Sequence, residues 1–294
     1  MKDRLRQDLI IDAHCHYGKG DGLRGPWDTS APLGRYLEQA REYGIDKTIL
    51  FSAFHSNYTL ANRAVARRIA KSPDRFYGFA FVHPIADAGR VLVLVREFVE
   101  QHGFCGIKVH RHDARITREI CDVARLYKLP VLYDVMGEVS AVELLATEYR
   151  DVNFIIPHLG SFSDDWRAQM SMIDQLQRHP NVYTDTSGIR RFDILEKAFK
   201  RAGARKFIFG SDGPWLHPGV ELEKVYAMHL DRADERDVLA LNIMRLISRV
   251  RRQPRGSPKD VHRAAAARAR ARPGAIAVTE ELRDPWAGEQ FPVG

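Results

Sequence analysis

The sequence predicts one α/β domain in which eight parallel strands, each followed by a helix, close into a (β/α)8 or TIM barrel. Eight short apolar runs recur along the first 250 residues, amphipathic helical stretches separate them, and no glycine-rich phosphate-binding fingerprint follows the first run. Strands that alternate with helices require crossover connections, and hence a parallel sheet. Eight such units fit a closed barrel better than an open sheet.

The eight predicted strands are short and mostly apolar. The stretches between them, such as LGRYLEQAREYG and TLANRAVARRIAKSP, place apolar residues three or four positions apart and end in Gly or Ser-Pro. After the eighth strand, helical sequence continues to Val250. The predicted strands occupy residues 9–16, 47–54, 76–84, 103–110, 130–135, 153–160, 181–188 and 206–212.

Composition narrows the class of protein. The chain has 294 residues, of which 45% are hydrophobic, so a large core can form without disulfides. Its three cysteines cannot all pair with one another, and neither a secretory signal nor an apolar run of membrane-spanning length is evident. These features predict a reduced, cytoplasmic protein that does not associate with membranes.

The net charge of +7 comes mostly from the C-terminal stretch 251–294. This stretch contains nine Lys/Arg and five Asp/Glu, so it carries +4 and the first 250 residues carry +3. It is rich in Ala and Arg and has no apolar face, which predicts a disordered or loosely helical tail appended to a barrel domain of residues 1–250. A polyanion-binding arm is the alternative, although the ordinary charge of the barrel does not favour nucleic-acid binding.

Nearly every predicted strand ends in a residue that can bind a metal or transfer a proton. Catalytic groups of a barrel lie where strands end and loops begin, so these side chains are expected to line one pocket. Residues two apart in a strand point to the same side, so His14 and His16 can meet one ion while Cys15 faces outward. The residues at the strand ends are His14, His16, His83, His110, Asp134, His158, Asp185 and Asp212.

Taken singly, these residues also have ordinary structural explanations. An isolated HxH pair can lie on a surface, Asp212 can cap a helix, and a lone histidine such as His158 is often a hydrogen-bonded structural residue. Their joint position at the strand ends favours a site that binds one divalent metal ion, with zinc as the favoured ion and manganese as the alternative.

Three spaced motifs, DAHCH, PHLGS and FGSDGPW, resemble the amidohydrolase superfamily over roughly residues 9–248. They are most similar to its amidohydrolase-related branch, which contains decarboxylases such as aminocarboxymuconate semialdehyde decarboxylase alongside hydrolases, lactonases and hydratases. The resemblance implies that His14 and His16 are metal ligands. It also implies that Asp212 binds the metal and handles the proton of the attacking water, and that His158 is a ligand or a catalytic acid/base.

Position 134 departs from the family pattern, which has PVLxH where this chain has PVLYD. This departure has two explanations. The Asp134 carboxylate can replace the imidazole as a metal ligand, which favours harder metals, or the ligand at this position is lost. Counting by twos puts Leu132 and Asp134 on one strand face and Tyr133 on the other. We predict that Asp134 faces the pocket as a metal ligand or a partner of one, because a carboxylate beneath the helices would be costly. The alternative turns Tyr133 inward.

Basic residues near the predicted rim are candidates for binding substrate. The candidates are Lys108, His110, Arg111 and Arg190, with Arg191 beside the last of them. For Lys108 the alternatives are a salt bridge to a nearby carboxylate or, by resemblance to binuclear relatives, a carbamylated lysine that bridges two metals. Trp27, in the first long loop, is a candidate pocket wall. The short loops favour an open pocket or one that the second subunit of a homodimer completes.

These features together predict a metal-dependent hydrolase that cleaves an amide, ester or lactone bond of a small molecule through a metal-activated water. The first alternative is a non-oxidative decarboxylase of a small aromatic or unsaturated carboxylic acid that uses the same site. The second alternative is a degenerate barrel that binds a ligand without turnover, which the departure at Asp134 would allow.

Overall fold

The computed structural model describes residues 8–21, 29–162 and 164–252 and confirms the barrel prediction. Eight strands pair in parallel in the order of the sequence, one for each predicted run. A further two-residue strand lies antiparallel to the end of the first. The strands are β1 Ile11–Lys19, β2 Ser30–Ala31, β3 Lys47–Ser52, β4 Phe76–Phe81, β5 Gly106–His110, β6 Val131–Asp134, β7 Phe154–Ile156, β8 Val182–Asp185 and β9 Phe207–Ile208.

Hydrogen bonds between β1 and the segment after β9 close the sheet. The backbone N–H of Ala13 donates to the carbonyl of Phe209 at 3.0 Å, and the N–H of His16 donates to the carbonyl of Gly213 at 2.6 Å. Cys15 also pairs with Gly213 in a parallel bridge. The first and last strands of the chain therefore lie side by side.

Helices cover the outside of the barrel. Their buried faces match the predicted spacing; in α4, for example, Ile120, Ala124 and Tyr127 are buried and the Thr117 side chain caps the first turn. The helices are α1 Leu33–Glu42, α2 Tyr58–Ala70, α3 Val91–Arg96, α4 Arg118–Tyr127, α5 Ser140–Glu148, α6 Trp166–Arg178, α7 Phe192–Ala202, α8 Pro218–Ala227, α9 Arg232–Arg236 and α10 Asn242–Ile247. Single π-helical turns extend α3 and join α9 to α10.

The hydrophobic core has two layers, one on each side of the strands. The layer to which a strand residue belongs shows whether its side chain points into the barrel or toward the helices. An outer layer between strands and helices contains Cys15 and Tyr133. An inner layer inside the barrel contains Ala13, Phe51 and Leu132. All three cysteines are buried and free.

Two of the sequence predictions fall outside the described residues. The first is Trp27 as a pocket wall. The second is the disordered or loosely helical tail, because the last residue that the structure describes is Arg252. Within the described ranges, no helix has the length and apolar character needed to cross a membrane.

Candidate active site

Three of the predicted metal ligands meet at the carboxyl ends of the strands. One ligand atom each from His14, His158 and Asp212 lies within 4.8 Å of the other two, and all three residues are buried. They come from β1, from the turn after β7 and from the loop after β9. His16 and Asp134 adjoin this trio: His16 Nε2 is 3.5 Å from Asp212 Oδ1, and Asp134 Oδ2 is 3.6 Å from His158 Nε2.

An irregularity in β1 brings His14 into the pocket. The pairing of β1 with β3 shifts between Asp12 and Cys15, where β1 contains one more residue than its partner. Ala13 belongs to the inner core layer and Cys15 to the outer layer, while the His14 ring lies 5.2 Å from Phe51 inside the barrel. The bulge therefore turns two consecutive residues, Ala13 and His14, toward the inside.

The backbone at the other ligand positions is also unusual. His158 has φ 59° and Asp212 has φ 56°, and both values lie in the left-handed region that residues with a Cβ rarely adopt. Such conformations cost free energy and persist where surrounding contacts impose them, which happens most often at functional sites.

Each pocket histidine is held through its Nδ1 atom, which leaves Nε2 directed at the pocket. His14 Nδ1 is 2.7 Å from Asp185 Oδ2, and its Nε2 is 3.2 Å from Asp212 Oδ1. His16 Nδ1 donates to the Ser52 carbonyl at 3.0 Å, and His158 Nδ1 donates to the Ser187 carbonyl at 2.8 Å. Metal-binding histidines are typically oriented in this way by an acceptor behind the ring.

Burial and neighbouring carboxylates set the protonation of this cluster. Burial opposes the charged form of His14, but Asp212 and Asp185 outweigh it and raise the pKa of His14 to about 9. Burial lowers the pKa of His16 to about 4 against the opposing effect of Asp212. Burial would raise the pKa of the Asp212 carboxyl, but His14 and His16 hold it well below its usual range. Asp212 is therefore ionised at neutral pH.

Asp134 faces the pocket, as its strand alternation predicts. Leu132 lies in the inner core layer and Tyr133 in the outer one, so the alternative with Tyr133 inward is wrong. Asp134 Oδ1 accepts from the Met136 N–H at 2.8 Å, and its Oδ2 lies 3.2 Å from His110 Nε2. Burial would raise the pKa of the Asp134 carboxyl, but His110 outweighs it and holds the carboxyl ionised. Whether Asp134 binds the metal stays a prediction.

His110, a candidate for substrate binding, has a contact that points to another role. Its Nδ1 accepts the His112 N–H at 3.1 Å, so a neutral ring carries its proton on Nε2 and donates it to Asp134. Burial lowers the pKa of His110, which favours this neutral form. The ring is therefore placed to orient the Asp134 carboxylate.

The arginine candidates are engaged in ion pairs. Arg111 makes a two-pronged contact with Glu138, through Nε at 2.9 Å and a terminal nitrogen at 2.8 Å. The Arg190 side chain is 70% exposed and pairs with Asp164, and Arg191 pairs with Asp193. A substrate anion would have to compete with these carboxylates for each of the three guanidinium groups.

Lys108 is buried in the barrel interior. Its Nζ lies 5.0 Å from the centre of the Phe51 ring, and within the described residues it has no hydrogen-bond partner. The predicted alternative of a salt bridge is therefore not found there. Burial lowers the pKa of Lys108, while Asp134 and Asp212 oppose this shift. A buried donor without an acceptor is rare in proteins, and its persistence calls for a ligand or a function.

Two residues without a role in the sequence analysis complete the pocket. Ser187 donates to Asp185 Oδ1 at 2.7 Å, which orients the carboxylate behind His14. Its position two residues after Asp185 was the available signal, because such residues share a strand face. The Trp215 ring lies 4.2 Å from the His16 ring and forms a pocket wall. No pattern in the sequence predicted that contact, although Trp215 lies in the motif FGSDGPW.

Solved structures of similar fold include both decarboxylases and hydrolases. A 5-carboxyvanillate decarboxylase from Sphingomonas paucimobilis is 13% identical with a TM-score of 0.66, and the match covers 83% of this chain and 100% of that one. A dihydroxybenzoic acid decarboxylase from Polaromonas with bound manganese and the inhibitor 2-nitroresorcinol is 18% identical with a TM-score of 0.63, covering 82% of this chain and 97% of that one.

A third similar structure is that of a probable 2-pyrone-4,6-dicarboxylic acid hydrolase from Acinetobacter baumannii with bound citric acid. It is 18% identical with a TM-score of 0.64, and the match covers 81% of this chain and 99% of that one. At these identities the likeness establishes the fold. Among curated proteins, no sequence match was found.

The sequence model of the amidohydrolase family matches residues 11–249. The match begins at β1 and extends beyond α10, so it includes the whole barrel and every residue of the pocket described above. The chain therefore belongs to the amidohydrolase family.

Proposed function

We propose that the protein is a metal-dependent hydrolase that cleaves an amide, ester or lactone bond of a small molecule. The observation that carries this proposal is the approach of His14, His158 and Asp212 within 4.8 Å. Imidazole nitrogens and a carboxylate oxygen suit zinc and manganese, and His16 and Asp134 stand next to this trio to complete the ligand set. When bound, one divalent ion would supply Lewis acidity, which polarises a carbonyl group and makes water more acidic.

The proton transfers fall to two residues of the chain. Asp212 is ionised and faces the pocket, so it can accept the proton of the attacking water. His158 donates its Nδ1 proton to the Ser187 carbonyl, so the neutral ring presents an unprotonated Nε2 that can bind the ion. The doubly protonated ring can instead donate a proton from Nε2, which lies 3.6 Å from Asp134 Oδ2, to the oxyanion or the leaving group. Both residues are buried, and exclusion of bulk water strengthens these interactions.

Metal content tests the first half of the proposal. The purified full-length protein should contain about one divalent ion per chain, and added zinc or manganese should raise the melting temperature, because binding to the folded state stabilises it. Asp212→Asn should lower metal affinity and abolish turnover. Asp174→Asn, which changes an exposed carboxylate of α6, is the matched control. Absence of metal together with no thermal shift would contradict the proposal.

The surroundings of Lys108 support a second candidate function, that of a decarboxylase. A buried amine without a partner suits a carboxylate, and the similar decarboxylase structures act on carboxylated aromatic rings according to their names. In this case Lys108 holds the acid group of a small aromatic or unsaturated substrate. The Lys108→Met variant should then raise the KM of carboxylated substrates much more than that of neutral esters.

A substrate panel separates the candidates. Hydrolysis of lactones, esters or amides supports the hydrolase, whereas carbon dioxide release from hydroxybenzoic acids without hydrolysis assigns the protein to the lyases. Tight ligand binding by the metal-loaded protein, with no turnover of any class, would instead indicate a binding protein.

A further inference from the structure

We propose that Asp12 is a positioning residue that fixes the separation between His14 and Asp212. The inference rests on the proposed function, because it concerns the metal site that these two residues form. Asp12 itself points away from the pocket, toward the helices, and cannot touch a bound ion or substrate from there.

The Asp12 carboxylate is fully buried and accepts four hydrogen bonds. Its Oδ1 accepts the backbone N–H of His14 at 3.1 Å and the backbone N–H of Ser211 at 2.9 Å. Its Oδ2 accepts the hydroxyls of Tyr36, at 2.7 Å, and of Ser211. A buried carboxylate is costly unless it is satisfied in this manner, so its position is closely determined by its partners.

Two of these bonds attach directly to the segments that carry the metal ligands. One reaches the backbone of His14, at the bulge where the ladder between β1 and β3 shifts register. The other reaches Ser211, the residue before Asp212. A single oxygen therefore joins the backbone of His14 to that of Ser211, which lies 199 residues from Asp12 in the chain, and each of these positions is at or next to a ligand.

The Ser211 hydroxyl extends the connection past Asp212. It donates to Asp12 and accepts the backbone N–H of Gly213 at 3.0 Å. Backbone on both sides of Asp212 is thus held relative to Asp12, and this helps to impose the left-handed conformation of Asp212, φ 56°. Without the carboxylate, the bulge and the loop after β9 would lose this shared acceptor and could relax independently.

If Asp12 served only to stabilise the fold, its contact with Tyr36 would be the one that matters. A variant of Tyr36 therefore provides a control. The Tyr36 hydroxyl contacts Asp12 Oδ2 and lies 2.9 Å from Thr48 Oγ1, so it joins α1 to the barrel without a hydrogen bond to the backbone of His14 or Ser211. Phenylalanine would keep the aromatic ring that lies against Gly213. Tyr36→Phe should lower the stability of the fold and leave metal affinity nearly unchanged.

The experiment compares Asp12→Ala, Asp12→Asn and Tyr36→Phe in the full-length protein. Zinc dissociation constants are measured by competition, and visible absorption of the cobalt-substituted proteins reports ligand geometry. Asp12→Ala should weaken zinc binding about 10- to 100-fold, as loss of an outer partner of a metal ligand typically does, and should shift the cobalt spectrum. Asp12→Asn keeps an oxygen for both backbone donors and should restore most of the affinity.

Equal zinc affinity and an unchanged cobalt spectrum in Asp12→Ala would overturn the inference, even if the variant were less stable. If Asp12→Ala does not fold, Ser211→Ala removes one donor to Asp12 and should weaken zinc binding in the same direction; unchanged affinity there would equally overturn it. Failure of the unsubstituted protein to bind zinc or cobalt would contradict the proposed function itself, which separates the two outcomes.

Discussion

Asp134 is the residue at which this chain departs from the family pattern, and its surroundings explain how a carboxylate fits there. The Met136 N–H donates to its Oδ1, while His110 Nε2 at 3.2 Å and His158 Nε2 at 3.6 Å both lie near its Oδ2. Those contacts suit either a metal ligand or a carboxylate that orients His158. In both cases the carboxylate has to be ionised, and its lowered pKa ensures this.

Replacing Asp134 should weaken metal binding. Asp134→Ala is expected to lower affinity strongly if Asp134 is a ligand, and about 10- to 100-fold if it acts behind His158. Asp134→His should preserve binding and shift preference from manganese toward zinc, because imidazole is the softer donor. Dissociation constants for both metals give the answer. Glu138→Ala, which removes a carboxylate four residues away, is the control, and unchanged affinity in Asp134→Ala would contradict both roles.

The protonation of His14 predicts that metal binding releases a proton. In the metal-free protein the pKa of His14 is raised to about 9, so the ring is charged at pH 7, whereas a ligand histidine must be neutral. His16, with a pKa of about 4, is already neutral and releases none. Titration calorimetry at pH 7.5 in buffers of different ionisation enthalpy should therefore show release of at least one proton per ion, the one lost by His14. Binding heats that do not depend on the buffer would contradict this.

The same shift makes one contribution to the pH dependence of the stability of the metal-free fold. A pKa raised from 6.5 to about 9 means that charged His14 stabilises the folded state fully below about pH 6.5. This contribution declines as the pH rises through about 9, while apparent metal affinity increases over the same range. Stability and affinity should thus change in opposite directions between pH 6.5 and 9.

At the scale of single elements, the barrel strands were predictable because each is a nearly continuous apolar run bounded by breakers. Alternation also placed Leu132 and Asp134 correctly, since β6 is regular. The bulge in β1 was not predictable, because an extra residue is defined only relative to the partner strand β3. The partners of Asp12 and the isolation of Lys108 likewise depend on residues that are distant in sequence.

Helix α6 offers a test of local capping close to the site. Its first turn follows the loop that carries His158, and the Asp165 side chain accepts the N–H groups of Arg167 at 2.9 Å and Ala168 at 3.3 Å. Asp165→Ala should reduce the free energy of unfolding by about 1 kcal/mol in urea denaturation and leave metal affinity unchanged. Asp174→Ala, on the exposed face of the same helix, should cost less. If both variants lost the same free energy of unfolding, the Asp165 cap would stabilise the fold no more than the exposed Asp174 side chain does.

For the whole molecule, closure of the barrel is what assembles the site. His14 and Asp212 lie at opposite ends of the fold in sequence, and they meet because β1 pairs with the segment after β9. His158 and Asp134 enter from the strands between. The metal should therefore bind only to the closed barrel, which is why its binding is expected to stabilise the entire domain rather than one loop.

The boundary of that domain leads to the final prediction. Arg251 donates its backbone N–H to the carbonyl of Tyr127 at 2.8 Å, so the chain is attached to the barrel as far as this residue. The remaining stretch has no apolar face in its sequence, and we expect a protein truncated after Arg252 to keep its melting temperature, metal affinity and solubility. Ending the chain at Val250 instead removes this hydrogen bond and should cost about 1 kcal/mol.

Thermal unfolding, metal titration and analytical ultracentrifugation of the two truncated proteins and the full chain provide the measurement. Equal melting temperatures and the same sedimentation behaviour after truncation at Arg252 would support a tail that is dispensable for folding. A large fall in melting temperature, loss of soluble expression or a change from dimer to monomer would show that residues 253–294 pack on the barrel or across a subunit interface. Because the tail is basic, the comparison should be repeated at high salt, where screening removes contacts that are only electrostatic.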